Sequence, residues 1–170
     1  MDNTDVGLSA AIRALADVVV PEVGPDHAQA TDQLKLTIDY LRFVVERLPH
    51  LHQRARLELR HGVLAASTVQ SAMQAPVTSP LGEAIDAGNA VLSDPDVSSS
   101  RVQQATAKLG AATAQAVRDA ASLDEPIRQK VERSALRASL ERIAFERSWY
   151  LPLRLDPDPH DVRPLSYFLE

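Results

Sequence analysis

The sequence predicts an all-α fold: a single helical bundle of about six helices with an extended, proline-rich C-terminal arm. Three observations predict it. Apolar residues recur at three- and four-residue spacing through most of the chain. Alanine and leucine are abundant, whereas aromatic residues make up only 4% and the strand-like alternation of β-branched residues is scarce. Prolines fall mainly between the periodic stretches, where helices begin and end. At 170 residues the chain is long enough for one domain with a real core. Its expected division is a helical bundle over residues 1–150 and a docked arm over residues 151–170.

Thr4 or Asp5 can cap a first helix with Leu8, Ile12, Leu15 and Val19 on one face, stopping near Val20-Pro21. A second helix opens at Gly24-Pro25, since a first-turn proline lacks only an N–H that would have no partner there. Its core stripe is Ala30, Leu34, Ile38, Leu41, Val44, Val45 and Leu48, with Asp32, Lys35, Asp39, Arg42 and Glu46 on another side. Leu36, Tyr40 and Phe43 form a smaller apolar patch roughly opposite the stripe. Pro49 disfavours helical backbone at Leu48, so the helix should end or kink there. A sharp corner and an antiparallel hairpin both remain open.

The third helix carries Leu51, Ala55, Leu59, Gly62, Ala66, Val69 and Met73 inward, a stripe of mostly small residues that lets a neighbour approach closely. After a linker, Ser79-Pro80 reads as cap and first-turn proline of a short fourth helix with Leu81, Ala84, Ile85 and Val91. One of Ser98, Ser99 and Ser100 caps a fifth, alanine-rich helix. The sixth starts at Asp124-Glu125-Pro126, where acidic residues suit the helix dipole. It is apolar on two sides: Ile127, Val131, Ala135, Ala138, Phe145 and Trp149 on one, Leu136, Leu140, Ile143 and Leu151 on the other. A helix of this kind is usually sandwiched, either centrally in its domain or between the domain and a partner, and a second copy of the chain is the expected cover. The arm keeps apolar residues but recurrent prolines bar a long helix. An interface built from Leu36, Tyr40, Phe43, Leu136, Leu140 and Ile143 follows as the expectation.

Composition excludes several functions. The net charge of −5 argues against a nucleic-acid binder. With no cysteine there are no disulfides, thiol nucleophiles or cysteine zinc sites. No apolar run approaches the roughly 20 residues of a membrane span. The acidic start Met1-Asp2-Asn3-Thr4-Asp5 lacks a signal-peptide pattern, so a cytoplasmic location is expected. No glycine-rich phosphate loop, G-x-S-x-G elbow or kinase signature occurs.

Arg54, Glu58 and His61 share an edge of the third helix. Glu58 and His61 have the Glu-x-x-His spacing of di-metal bundles, but the second copy is missing: Ala144 follows Glu141 at that spacing, and Trp149 follows Glu146. No metal and no cofactor is therefore expected. The edge reads as an Arg54–Glu58 ion pair, or as the floor of a pocket in which Glu58 and His61 work as acid and base on an anionic ligand. His50 and His52 point too far apart on a helix to chelate unless the first turn is irregular, and Asp156, Asp158, His160 and Asp161 lack the glycine and terminal glutamate of a calcium loop. The arginines Arg133, Arg137, Arg142 and Arg147 read as helical ion-pair partners or as an anion site.

The run from Leu8 and Ile12 to Val19-Val20-Pro21, with Gln33-Leu34 and the stretch from Leu41 to Glu46-Arg47-Leu48, resembles the opening of a bacterial family of small helical proteins of unknown function. Genes of that family often neighbour aminoglycoside-phosphotransferase-like kinases and acyl-CoA dehydrogenases. The resemblance covers the first third of the chain, carries over no catalytic residue, and implies an accessory role near acyl-CoA metabolism. Taken together, the expected function is a non-catalytic interaction or accessory module that homodimerises and can engage a protein partner. The alternative is a binding protein or enzyme for a small anionic metabolite, using Arg54, Glu58 and His61.

Overall fold

The computed structural model describes residues 3–23 and 25–169. It is all-α, with no strand among the described residues. Six helices of more than ten residues make up most of it: α1 (Thr4–Ala14), α2 (Ala28–Arg47), α3 (Leu51–Met73), α4 (Pro80–Ser93), α5 (Ser99–Asp119) and α6 (Glu125–Tyr150); a short α7 (Ser166–Leu169) follows. No described helix is long and apolar enough to cross a membrane.

Both proline sites end a helix close to where the sequence expects it, but by a change of helical turn and not by a loop. α1 does not stop ahead of Pro21 but continues through a π turn (Leu15–Val19) into a last turn, Val20–Glu22. The Val20 N–H reaches back five residues to the Leu15 carbonyl, and this widened turn makes room for the proline ring. Likewise Leu48 keeps helical angles, φ −49° and ψ −47°, although proline follows it. Its own N–H still bonds to the Val44 carbonyl, and Pro49 occupies the first turn of a 3-10 segment, Leu48–His50, where no N–H is needed. The chain thus runs from α2 into α3 without a loop.

The described residues fall into two compact units. The first lies within Met1–Leu51 and Tyr150–His160, the second within His52–Trp149 and Asp161–Glu170, so both draw on the arm.

In the first unit α1 packs against α2, with Ile12 and Ile38 buried. Phe43 was expected on the outer patch with Leu36 and Tyr40, and this is corrected: it is 6% exposed. Its ring stacks on Tyr150 at 5.6 Å, and the buried Arg47 guanidinium lies 5.6 Å from its centroid. The wheel of α2 places Phe43 beside Leu36 and Tyr40, opposite the core stripe, and there the Tyr150 ring covers it.

The second unit holds the larger core, with Leu59, Ala66 and Val69 from α3, Leu81 and Ile85 from α4, Val102 and Leu109 from α5, and Val131 from α6. α4 and α5 form a tight hairpin. Ser79 Oγ accepts the Gly82 N–H at 3.2 Å and Ser98 Oγ accepts the Arg101 N–H at 3.4 Å, so both helices begin on serine caps. Gly82 is demanded by space: a Cβ there would sit 1.9 Å from the Val77 carbonyl oxygen. At the far end of α4, Arg56 of α3 donates to the Leu92 carbonyl at 2.6 Å and the Asp94 carbonyl at 2.9 Å, serving the end of the helix where carbonyls lack partners.

The arm is not simply extended. It forms 3-10 turns at Leu151–Leu153 and Pro159–Asp161, turns through Arg154 at φ 57°, and ends in α7. Pro152 and Pro159 sit in first turns, where a missing N–H costs nothing, so short helical pieces survive where a long helix cannot. Its last part docks on α6: Phe168 meets Phe145 edge-on at 5.6 Å, and Arg163 lies 3.8 Å from Glu141.

Candidate functional site

α3 places Arg54, Glu58 and His61 on one edge, as their spacing requires. Arg54 Nε donates to Glu58 Oε1 at 2.6 Å. A second guanidinium nitrogen donates to both carboxylate oxygens of Glu146 at 3.2 Å, and the guanidinium centre lies 4.6 Å from the Trp149 ring centroid. These two α6 partners were not legible in the sequence. The three charged side chains are 20%, 29% and 33% exposed, so the cluster is half-buried rather than a solvated surface pair. With two carboxylates and an aromatic face engaged, Arg54 joins α3 to α6 and presents no open fork to an anion.

His61 faces other surroundings. Its imidazole stands edge-on to Phe145 at 6.3 Å, and its Nδ1 is buried with no hydrogen-bond partner. Burial lowers its pKa below the ordinary histidine value, because the cation would lose water; Glu141 opposes this, and Arg60 and Arg142 reinforce it. At neutral pH the ring is therefore mainly uncharged.

A groove of about 610 Å³ runs between α3, α5 and α6. Its walls are small, with Gly62, Gly110 and Ala138 among them, and Glu58, His61, Arg142 and Glu146 gather on its lining. Arg54 is not part of that lining. The structure therefore brings Glu58 and His61 to one groove and leaves Arg54 outside its lining.

The remaining candidates separate. His52 Nδ1 lies 2.9 Å from Ser99 Oγ. The Asp158 N–H donates to Asp156 Oδ1 at 2.9 Å, a local turn. Among the described residues no group of three or more His, Asp or Glu side chains could hold a metal ion. Arg133 donates to Gln129 at 2.9 Å, a helical pairing. Of the apolar set, Leu36 is 62% exposed, Tyr40 56%, Leu136 70%, Leu140 61% and Ile143 50%.

No family model, curated protein or solved structure matches the chain.

Proposed function

We propose that this chain is a non-catalytic helical interaction module, located in the cytoplasm, that homodimerises and serves an accessory role. One observation carries the reading. Leu136, Leu140 and Ile143 project from successive turns of α6 while the opposite face of the same helix is already filled by Val131, Phe145 and Trp149. A contiguous row of large apolar side chains in water favours association. The engaged state of Arg54 supports the same reading, since a receptor for a free anion keeps its cation available. The accessory role near acyl-CoA metabolism rests on the resemblance of the first third of the chain.

Sedimentation velocity of the unmodified protein at micromolar concentration tests the proposal. A dimer that dissociates on Leu140→Glu is the expected result; a monomer with an unchanged profile in the variant overturns it.

A second reading has its own observation, the groove lined by Glu58 and His61. There Arg142, not Arg54, would supply the cation for a small carboxylate. Titration with acetate or propionate, followed by the His61 imidazole resonances, tests it. A saturable shift lost in Arg142→Ala supports the groove as a site; no shift removes it.

A further inference from the structure

The self-association proposed above leaves open which surface covers the exposed face of α6. Charge patterning points to α2 of a second copy. At 100° per residue, Lys130, Arg133 and Arg137 line one flank of the Leu136, Leu140 and Ile143 row, all three exposed, with Glu141 farther round on the same flank. On α2, Leu36 and Tyr40 are flanked on one side by Asp32 and Asp39, also exposed; Glu46, Lys35 and Arg42 lie on the same side but farther round the helix from the row. Lys130 and Arg137 are seven residues apart, as are Asp32 and Asp39; each pair therefore spans about 10.5 Å along its helix. Handedness then selects an orientation. With two right-handed helices laid face to face, the basic flank of α6 meets the acidic flank of α2 only when the helices run parallel. In the antiparallel arrangement the two flanks fall on opposite sides of the seam.

The charge of the whole molecule agrees. The net charge of −5 lies in the first unit, which contains α2, because the second unit holds as many basic as acidic side chains. A basic flank on α6 is thus drawn to the acidic unit of another copy. Asp39 is shared with Arg42 at 3.2 Å, but both side chains are more than half exposed and such a pair exchanges readily.

We propose that α6 of one copy docks parallel on α2 of a second copy, Leu136, Leu140 and Ile143 covering Leu36 and Tyr40, with Lys130, Arg133 and Arg137 beside Asp32 and Asp39. Two such contacts, exchanged between the copies, close the dimer. This inference rests on the self-association reading, and its test separates the two.

Two variants are prepared, one with Asp32→Arg and Asp39→Arg, the other with Arg133→Glu and Arg137→Glu, and circular dichroism establishes that each is folded. All four positions are exposed. Each variant alone should dimerise about tenfold or more weakly than the unmodified chain at low ionic strength, since both its contacts now oppose like charges. Mixed in equal amounts, the two should recover association as heterodimers, because every exchanged contact again pairs opposite signs. If the α2 variant dimerises as well as the unmodified protein, docking on α2 is overturned while self-association stands. A monomeric unmodified chain overturns self-association, and this inference with it.

Discussion

The α4–α5 hairpin and α6 lie in the same compact unit and are built on opposite plans. The hairpin closes on itself: serine caps start both helices, Arg56 serves the end of α4, and each helix has one apolar side, turned inward. Gly82 allows the linker backbone to lie against the start of α4, a fit that any side chain would spoil. α6 has more apolar surface than its own unit uses. Its inner face carries the fully buried Val131, Phe145 and Trp149, and its outer face leaves Leu136, Leu140 and Ile143 half exposed or more. A helix pair whose needs are met locally serves as scaffold. A helix with an unfilled face is where an interaction module has something left to offer.

The contrast breaks most sharply at Trp149. Trp149→Ala empties a fully enclosed site against Phe145 and Arg54 and should cost about 3–5 kcal/mol in urea unfolding. Leu140→Ala, measured at a dilution where the chain is monomeric, should change stability by less than about 0.5 kcal/mol. Equal costs at the two positions would mean that both faces of α6 are core.

Next in size is the hairpin itself. Gly82→Ala places a methyl group on the Val77 carbonyl and should cost about 1–3 kcal/mol, although alanine is the better helix former. A stabilised Gly82→Ala would show that the linker does not pack on α4.

The smallest effect concerns His61. Its folded pKa lies below the unfolded value because burial disfavours the cation. As pH falls through about 6.5 the unfolded chain takes up the proton first, so stability declines and keeps declining until the lowered folded pKa is passed. Above that window the ring is neutral in both states and contributes no slope. His61→Gln should flatten this part of the pH–stability curve, and an unaltered curve would place the ring in ordinary solvent.

The sequence by itself determined the helices, the serine caps of α4 and α5 and most of the inner stripes, because these depend on neighbours three or four residues away. α1 instead starts after Asn3 without a side-chain cap, and Leu51 of the expected α3 stripe is half exposed. Ser79 and Ser98 act as caps, and Leu59, Val69, Val102 and Val131 are buried, as periodicity and capping chemistry require. The Arg54–Glu58 pair is equally local. Tertiary structure decided what lies across the chain. Glu146 and Trp149 reach Arg54 from more than 90 residues away and turn a helical ion pair into a bridge between α3 and α6. Tyr150 removes Phe43 from the apolar patch that the wheel of α2 assigns it. Backbone context likewise set the form of the expected breaks near Pro21 and Leu48, a widened turn and a 3-10 turn in place of a loop. Proline's cost is the loss of one hydrogen bond and a clash with one carbonyl, and local geometry can absorb both. Periodicity locates a face on a helix, but what covers that face is set by packing between segments distant in sequence.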